Sequence, residues 1–126
     1  MSTPTTIILY GIPNCDTVKK ARAWLQEQGL AYQFHDFKKQ GVPTERLPAW
    51  MAAVGWDKLL NRQGTTWRRL DAAVQAGVHD AASAAVLMQE QPSVIKRPVV
   101  EWTGTPSGRV TVGFKAEAWS DLAAGA

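Results

Sequence analysis

The stretch IILYGIPNCDTVKK, at residues 7–20, decides the fold of this 126-residue chain. A short apolar run is broken by Gly11 and Pro13, and a polar segment with helical spacing follows. This order predicts a buried strand, a tight loop and the N-terminus of a helix. Cys15, the only cysteine in the sequence, therefore lies at the entrance of the first helix.

Cys15 is predicted to be a reactive thiol. The first N–H groups of a helix have no partner within the helix, and the helix dipole is positive there, so that a negative charge is favoured. A thiol in this position shifts toward the thiolate, which is the nucleophilic form. The alternative is a small buried apolar residue, as lone cysteines commonly are. The strand–loop–helix setting favours the reactive thiol.

The composition is that of one globular domain. The chain is 45% hydrophobic and 20% charged, and its net charge of +3 comes without a run of Lys or Arg, which argues against direct nucleic-acid binding. A single cysteine excludes an intrachain disulfide and fits a reducing compartment. No apolar stretch approaches the roughly 20 residues of a membrane span, and no charged leader precedes the first strand. We expect a cytoplasmic monomer with no membrane contact.

The rest of the chain alternates between strand and helix patterns. Apolar residues recur at helical spacing at Val18, Ala21 and Leu25, and Gly29 is predicted to end that helix. Either Asn14 or Cys15 is its predicted cap. The remaining predicted elements are strands near 6–10, 31–36, 98–102 and 109–114, a loop at 38–43, helices from Thr44 to Gly55, Trp56 to Leu60, Thr65 to Gly77 and Asp80 to Gln89, and a closing helix from Lys115 to Ala123.

This order predicts an α/β fold of the thioredoxin type. A βαβ unit with parallel strands is followed by a helical block at about 44–91, and then by an antiparallel hairpin and a helix. Nothing resembling a flexible linker flanks the helical block, so we interpret it as an insertion between the βαβ and ββα halves of one domain, residues 1–126. The predicted sheet is mixed and has four strands.

Two other groups of residues are predicted to be structural. His35 and Asp36 are adjacent in a strand, so their side chains point to opposite faces and cannot serve one site. No spacing of His, Cys, Asp or Glu fits a metal site. The tryptophans stand at helix and strand spacings and are predicted to be core residues: Trp24, Trp50, Trp56, Trp67, Trp102 and Trp119.

Three segments, in the same order along the chain, resemble the ArsC/Spx family of thioredoxin-fold proteins. They are GIPNCDTVKKA at residues 11–21, GTTWRRL at 64–70 and IKRP at 95–98. The resemblance is greatest to the YffB-like branch of small thiol reductases. It implies the thioredoxin-like fold with a helical insertion, and a catalytic cysteine at Cys15.

The resemblance also implies the other site residues. Pro98 corresponds to the proline, preceded by a cis peptide, that lies opposite the nucleophilic helix end, which places Arg97 at Cys15. Arg62 matches the second site arginine of the family, although a lone loop arginine is more commonly a solvated charge. Cys15, Arg62 and Arg97 are the predicted catalytic residues. The predicted substrate-binding residues are Asn14, Asp16, Thr17, Lys19, Pro98 and Lys115.

The implied activity is that of a glutathione-dependent, arsenate reductase-like thiol reductase. Its partners would be glutathione and a small oxyanion or disulfide substrate, with no bound cofactor and no metal. Two departures from the family pattern limit which of these activities the chain is expected to have. Lys115 stands nearest to the third arginine of the arsenate reductases, which makes arsenate chemistry doubtful, and Ile12 removes the Cys-x-x-Cys switch usual in Spx regulators. The alternative is an Spx-like binding module that docks on RNA polymerase without catalysis of its own.

Overall fold

A computed structural model describes residues 7–103, 105 and 108–124 of the chain. They form two compact units. The α/β unit contains the described residues up to Gln40 and again from Arg97 onward, and the helical unit is Gly41–Lys96. In chain order the elements are β1 (Ile7–Gly11), α1 (Asp16–Glu27), β2 (Tyr32–Asp36), α2 (Phe37–Gln40), α3 (Leu47–Val54), α4 (Trp56–Leu59), α5 (Thr65–Arg68), α6 (Ala72–Ala76), α7 (Ala81–Glu90), a 3-10 turn (Pro92–Val94), β3 (Val99–Glu101), β4 (Val110–Val112) and α8 (Ala116–Ala124).

The α/β unit is built on a mixed sheet of four strands in the order β2-β1-β3-β4. β1 runs parallel to β2, as a βαβ crossover requires, and antiparallel to β3, which forms a hairpin with β4. Tyr10 lies opposite His35 on one side and Val99 on the other. The predicted four-stranded sheet is therefore confirmed.

Helix α1 forms where the sequence predicts it. Its apolar stripe, Val18, Ala21 and Leu25, is fully buried, and Asp16 lies in the first turn, where a negative charge is favourable. The chain leaves the helix through Gly29, whose φ of 67° is in the left-handed region that favours glycine. These features fix both ends of the helix that carries Cys15.

The core of the α/β unit lies between one face of the sheet and helices α1 and α8. Trp119 is at its centre, with ring centroids 5.0 Å from Trp102, 5.7 Å from Trp24 and 4.8 Å from Phe114, all edge to face. Edge-to-face pairs add to the energy of apolar burial. The buried members of this core are Ile7, Leu9, Val18, Ala21, Leu25, Val100, Trp102, Trp119 and Leu122.

The opposite face of the sheet carries a buried polar pair. The Tyr10 hydroxyl donates a 2.7 Å hydrogen bond to the Glu101 carboxylate, and each residue is 5% exposed. The His35 ring lies 4.9 Å from the Tyr10 ring. His35 thus packs on an aromatic neighbour, in keeping with the structural role predicted for it.

Two predicted segments of the chain are wrong. The predicted loop at 38–43 begins instead within the one-turn helix α2, because the Asp36 carboxylate accepts the Lys38 N–H at 2.8 Å and so caps the turn. The predicted helix from Thr65 to Gly77 is divided into α5 and α6. There Asp71 has non-helical backbone angles, with φ −58° and ψ 146°, and the Trp67 carbonyl accepts the Leu70 N–H at 3.1 Å and the Gln75 side chain at 2.8 Å.

Two helices of the helical unit begin within a few residues of their predicted starts. Helix α3 begins at Leu47 rather than Thr44, and Gly64 rather than Thr65 is the N-cap of α5. Asp80 caps α7 as predicted, in a capping box with Ser83. That the two units together make one domain stays a prediction.

Candidate active site

Cys15 is the N-cap residue of α1. Its backbone is extended, with φ −139° and ψ 123°, and its carbonyl accepts the Lys19 N–H at 2.9 Å, the first bond of the helix. The thiol is half-buried, and the backbone N–H groups of Thr17 and Val18 act on it to favour the thiolate. The N-terminus of the first helical turn thus favours a negative charge on the sulfur.

Arg97 supplies the positive charge at this thiol. Its guanidinium donates a hydrogen bond to the Cys15 sulfur and is close enough to act through its charge as well. The peptide bond between Arg97 and Pro98 is cis, as predicted. The structure therefore brings together Cys15 and Arg97, two of the three predicted catalytic residues.

These contacts set the acidity of Cys15. Burial is the largest single influence and raises the pKa of the thiol. The Val18 N–H, the hydrogen bond and charge of Arg97, and the Thr17 N–H each favour the thiolate, and together they outweigh burial. The pKa of Cys15 is therefore lower than that of an ordinary cysteine, which increases the fraction of the nucleophilic thiolate at a given pH.

The loop before Cys15 is held by close packing. A side chain on Gly11 would place its Cβ 2.9 Å from Cγ2 of Val18, so only glycine lets β1 approach α1 this closely. Ile12 is 7% exposed, whereas Pro13 and Asn14 are exposed. The loop thus has one buried side chain and two that face solvent.

The predicted substrate-binding residues occupy two places in the α/β unit. Asn14, Asp16, Thr17 and Lys19 are exposed neighbours of Cys15 along the chain. Pro98 is buried and accepts the Gly113 N–H at 2.9 Å, and the exposed Lys115 follows two residues after Gly113. Contact of any of these residues with a substrate stays a prediction.

Arg62 belongs to the helical unit and is exposed. Its Cζ atom lies 5.5 Å from the ring centroid of Trp56 and 5.9 Å from that of Trp67. Both distances are within the range of a cation–π contact. The predicted approach of Arg62 to Cys15 is not tested by these contacts and stays a prediction.

The aromatic partners of Arg62 were missed by the sequence analysis, which took every tryptophan for a core residue. Trp50, Trp102 and Trp119 are indeed almost fully buried, but Trp56 and Trp67 are only half-buried. They precede and follow Arg62 by six and five residues. No helical or strand period links these positions, so only the flanking of a loop arginine by two tryptophans could have suggested the contact.

Three further features complete the description of the structure. Over residues 7–103, 105 and 108–124, no cluster of three His, Cys, Asp or Glu side chains could hold a metal ion. The same residues include no helix long and apolar enough to cross a membrane. The helical unit also has an open apolar groove of about 540 Å³, lined in part by Leu47, Pro48, Met51 and Trp56.

Comparison with known proteins identifies relatives along almost the whole chain. Residues 10–122 match the model of the ArsC family. The solved structure of the YffB protein is 51% identical, with a TM-score of 0.84, and the match covers 92% of this chain and 97% of that one. An arsenate reductase (ArsC) related protein from Brucella melitensis is 47% identical with a TM-score of 0.71, covering 95% and 96%. An uncharacterized protein of Haemophilus influenzae is 38% identical over 108 residues, which are 86% of this chain and 90% of that protein.

A transcriptional regulator is also among the relatives. The global transcriptional regulator Spx of Staphylococcus saprophyticus is 24% identical over 114 residues, or 88% of this chain and 82% of Spx. The predicted family resemblance and the thioredoxin-like fold are both confirmed by these matches.

Proposed function

Since this chain belongs to the ArsC family, we propose that it is a thiol reductase in which Cys15 is the nucleophile and glutathione the reducing co-substrate. The observation that carries the proposal is the hydrogen bond from Arg97 to a thiol at the N-terminus of α1, which lowers the pKa of Cys15. The single cysteine calls for an external thiol, and we propose that this thiol is glutathione. With one cysteine, the chain cannot resolve an intermediate by an internal disulfide.

The proposed reaction is two successive thiol–disulfide exchanges. The Cys15 thiolate attacks the glutathione sulfur of a mixed disulfide, the S–S bond breaks, and the substrate leaves as a thiolate that takes a proton from water. The thiolate of a second glutathione then attacks the glutathione sulfur now bonded to Cys15. Glutathione disulfide is released and Cys15 returns as a thiolate. Across the two steps, the mixed disulfide and one free glutathione become the substrate thiol and glutathione disulfide, and the proton lost by the free glutathione replaces the one that the substrate thiolate took from water.

The two arginines have different parts in this proposal. Arg97 stabilises the thiolate before attack and again when Cys15 leaves as a thiolate. Arg62 holds an anionic group of the substrate, because its guanidinium is exposed and its planar N–H donors suit a carboxylate or an oxyanion. A disulfide substrate is favoured over arsenate. The ammonium of Lys115 is a single point charge, whereas the planar guanidinium of an arginine would bind an oxyanion through two hydrogen bonds.

The test is mass spectrometry of Cys15 after incubation with glutathione disulfide and, separately, with arsenate. We expect a glutathione adduct on Cys15 that free glutathione removes, and no such adduct on the Cys15→Ser variant. Failure of Cys15 to form the adduct at neutral pH would contradict the proposal. We also propose that the protein is a monomer and that it is located in the cytoplasm, which is a reducing compartment.

The second candidate is a binding module that docks on RNA polymerase. The relationship to Spx favours it. The absence of a Cys-x-x-Cys switch, with Ile12 in place of the first cysteine, does not. Retention of polymerase subunits by the purified chain, unaffected by Cys15→Ser, would favour the module over the reductase.

A further inference from the structure

We propose that Trp56 and Trp67, here called the indole pair, are positioning residues that hold the guanidinium of Arg62 ready for the anionic group of the substrate. The inference rests on the substrate-binding role given to Arg62 above. It concerns contacts within the helical unit alone.

The first support is the setting of the Arg62 side chain. Its Cζ atom lies 5.5 and 5.9 Å from the two ring centroids, so each indole attracts the guanidinium through its ring face. Among the residues that the structure describes, the guanidinium makes no hydrogen bond or ion pair with the protein. A guanidinium that packs on aromatic faces keeps the N–H donors at its edge free for an anion. The cation is thus oriented by groups that do not compete for its donors.

The second support is the anchoring of the backbone that carries Arg62. The Asn61 N–H donates to the Val94 carbonyl at 2.7 Å, and Leu60 forms a β-bridge with Ile95. The Asn61 side chain then accepts the Gln63 N–H at 3.2 Å, which closes the turn around Arg62. The hydrogen bonds of Asn61 therefore fix the backbone position from which the Arg62 side chain projects.

The third support is that each indole is itself held. Trp56 begins α4 directly after Gly55, whose φ of 90° sets the turn from α3, and the Gly55 N–H donates to the Met51 carbonyl at 2.8 Å. The Trp67 carbonyl accepts the Gln75 side chain at 2.8 Å. An arginine that is already held loses less side-chain freedom when it binds its ligand, which improves affinity without a new contact.

The kinetic test uses a glutathionylated peptide as substrate and free glutathione as reductant. Trp56→Leu and Trp67→Leu are each expected to raise KM by about two- to five-fold, the factor that a cation–π contact at an exposed site supports, with little change in kcat. Trp67→Phe, which keeps a ring face, is expected to restore part of the loss. In an Arg62→Ala background, Trp67→Leu should add nothing, because the residue through which it acts is gone.

Two control variants separate the indole pair from other effects. Trp56 also lines the apolar groove, so Met51→Ala, which changes the groove and not the indole pair, is expected to leave KM unchanged. Arg69→Ala removes another exposed arginine of the same unit and should also have no effect. Additive losses for Trp67→Leu and Arg62→Ala, or a KM that Trp67→Leu leaves unchanged while Arg62→Ala raises it, would overturn the inference and leave the proposed function standing.

A second measurement does not depend on turnover. Ring currents of the two indoles should shift the proton resonances of the Arg62 δ-methylene upfield of those of Arg69, and Trp56→Leu and Trp67→Leu should each reduce that shift. Resonances that neither variant moves would overturn the inference even if no substrate were turned over. Shifts that respond as expected, together with an Arg62→Ala enzyme of unchanged KM, would instead contradict the substrate-binding role proposed for Arg62.

Discussion

Removal of the Arg97 guanidinium tests how Cys15 is activated. Arg97 donates a charge-assisted hydrogen bond to the sulfur, and such a bond to a charged group contributes about 1.5–3 kcal/mol. Cys15 is only half-buried, so solvent screens the charge and the lower end of that range applies. A loss of about 1.5 kcal/mol corresponds to a fall of roughly ten-fold in the ratio of thiolate to thiol at a fixed pH. Arg97→Ala therefore raises the pKa of Cys15.

The rate falls by less than the thiolate fraction. A thiolate of higher pKa is the better nucleophile, with a Brønsted coefficient of about 0.4–0.5, so at a pH below both pKa values the rate is expected to fall by about three-fold where the thiolate fraction falls ten-fold. The assay is the rate of alkylation of Cys15 by iodoacetamide as a function of pH, with ultraviolet absorbance of the thiolate as an independent titration. The wild-type rate is expected to be lost as the pH falls through the lowered pKa.

Two matched variants complete this test. Arg97→Lys keeps the charge but loses the planar fork, so its titration should lie between those of the wild type and Arg97→Ala. Arg69→Ala, an exposed arginine of the helical unit, should titrate as the wild type does. A titration midpoint that Arg97→Ala leaves unchanged or lowers would refute the reasoning.

Four other substitutions give independent tests. Cys15→Ser should abolish turnover of a glutathione mixed disulfide, because a serine hydroxyl is not ionised at neutral pH; measurable turnover would exclude Cys15 as the nucleophile. Lys115→Arg should increase arsenate reduction if arsenate is a substrate, since it restores a planar donor pair; no gain, alongside intact disulfide reduction by the wild type, would exclude arsenate. Gly11→Ala should lower the free energy of unfolding by about 1–3 kcal/mol in urea denaturation, because its Cβ would meet Val18 at 2.9 Å; an unchanged midpoint would show that the loop relaxes freely. Trp119→Ala should lower it by about 3–5 kcal/mol, and a loss below 1 kcal/mol would contradict the central place of Trp119 in the core.

The sequence predicts the α/β unit well because its signals are local. The apolar run before Gly11 specifies β1, and the stripe through Val18 and Leu25 specifies α1, so the position of Cys15 follows from neighbours in the chain. The contact between Arg97 and Cys15, which are 82 positions apart, could not be obtained from period or spacing. It was available only through the family resemblance.

The helical unit is predicted less well because side chains decide its breaks. At the division between α5 and α6 the Trp67 carbonyl accepts the Gln75 side chain, and helix α2 begins at the cap provided by Asp36. Glutamine and aspartate are also common in continuous helices and in loops, so the residue types at positions 75 and 36 do not predict these contacts. The stacking of Arg62 on two indoles is likewise a product of tertiary packing.

The burial of Ile12 limits how this site can change. A second cysteine at that position would create the two-thiol motif of a self-contained redox switch, but its sulfur would replace a branched side chain that is 7% exposed. The smaller side chain would fill less of the buried space at that position, and burial would raise the pKa of the new thiol. A single substitution at Ile12 would therefore give this one-thiol protein a second thiol that is buried, whereas a redox sensor needs one that an oxidant can reach.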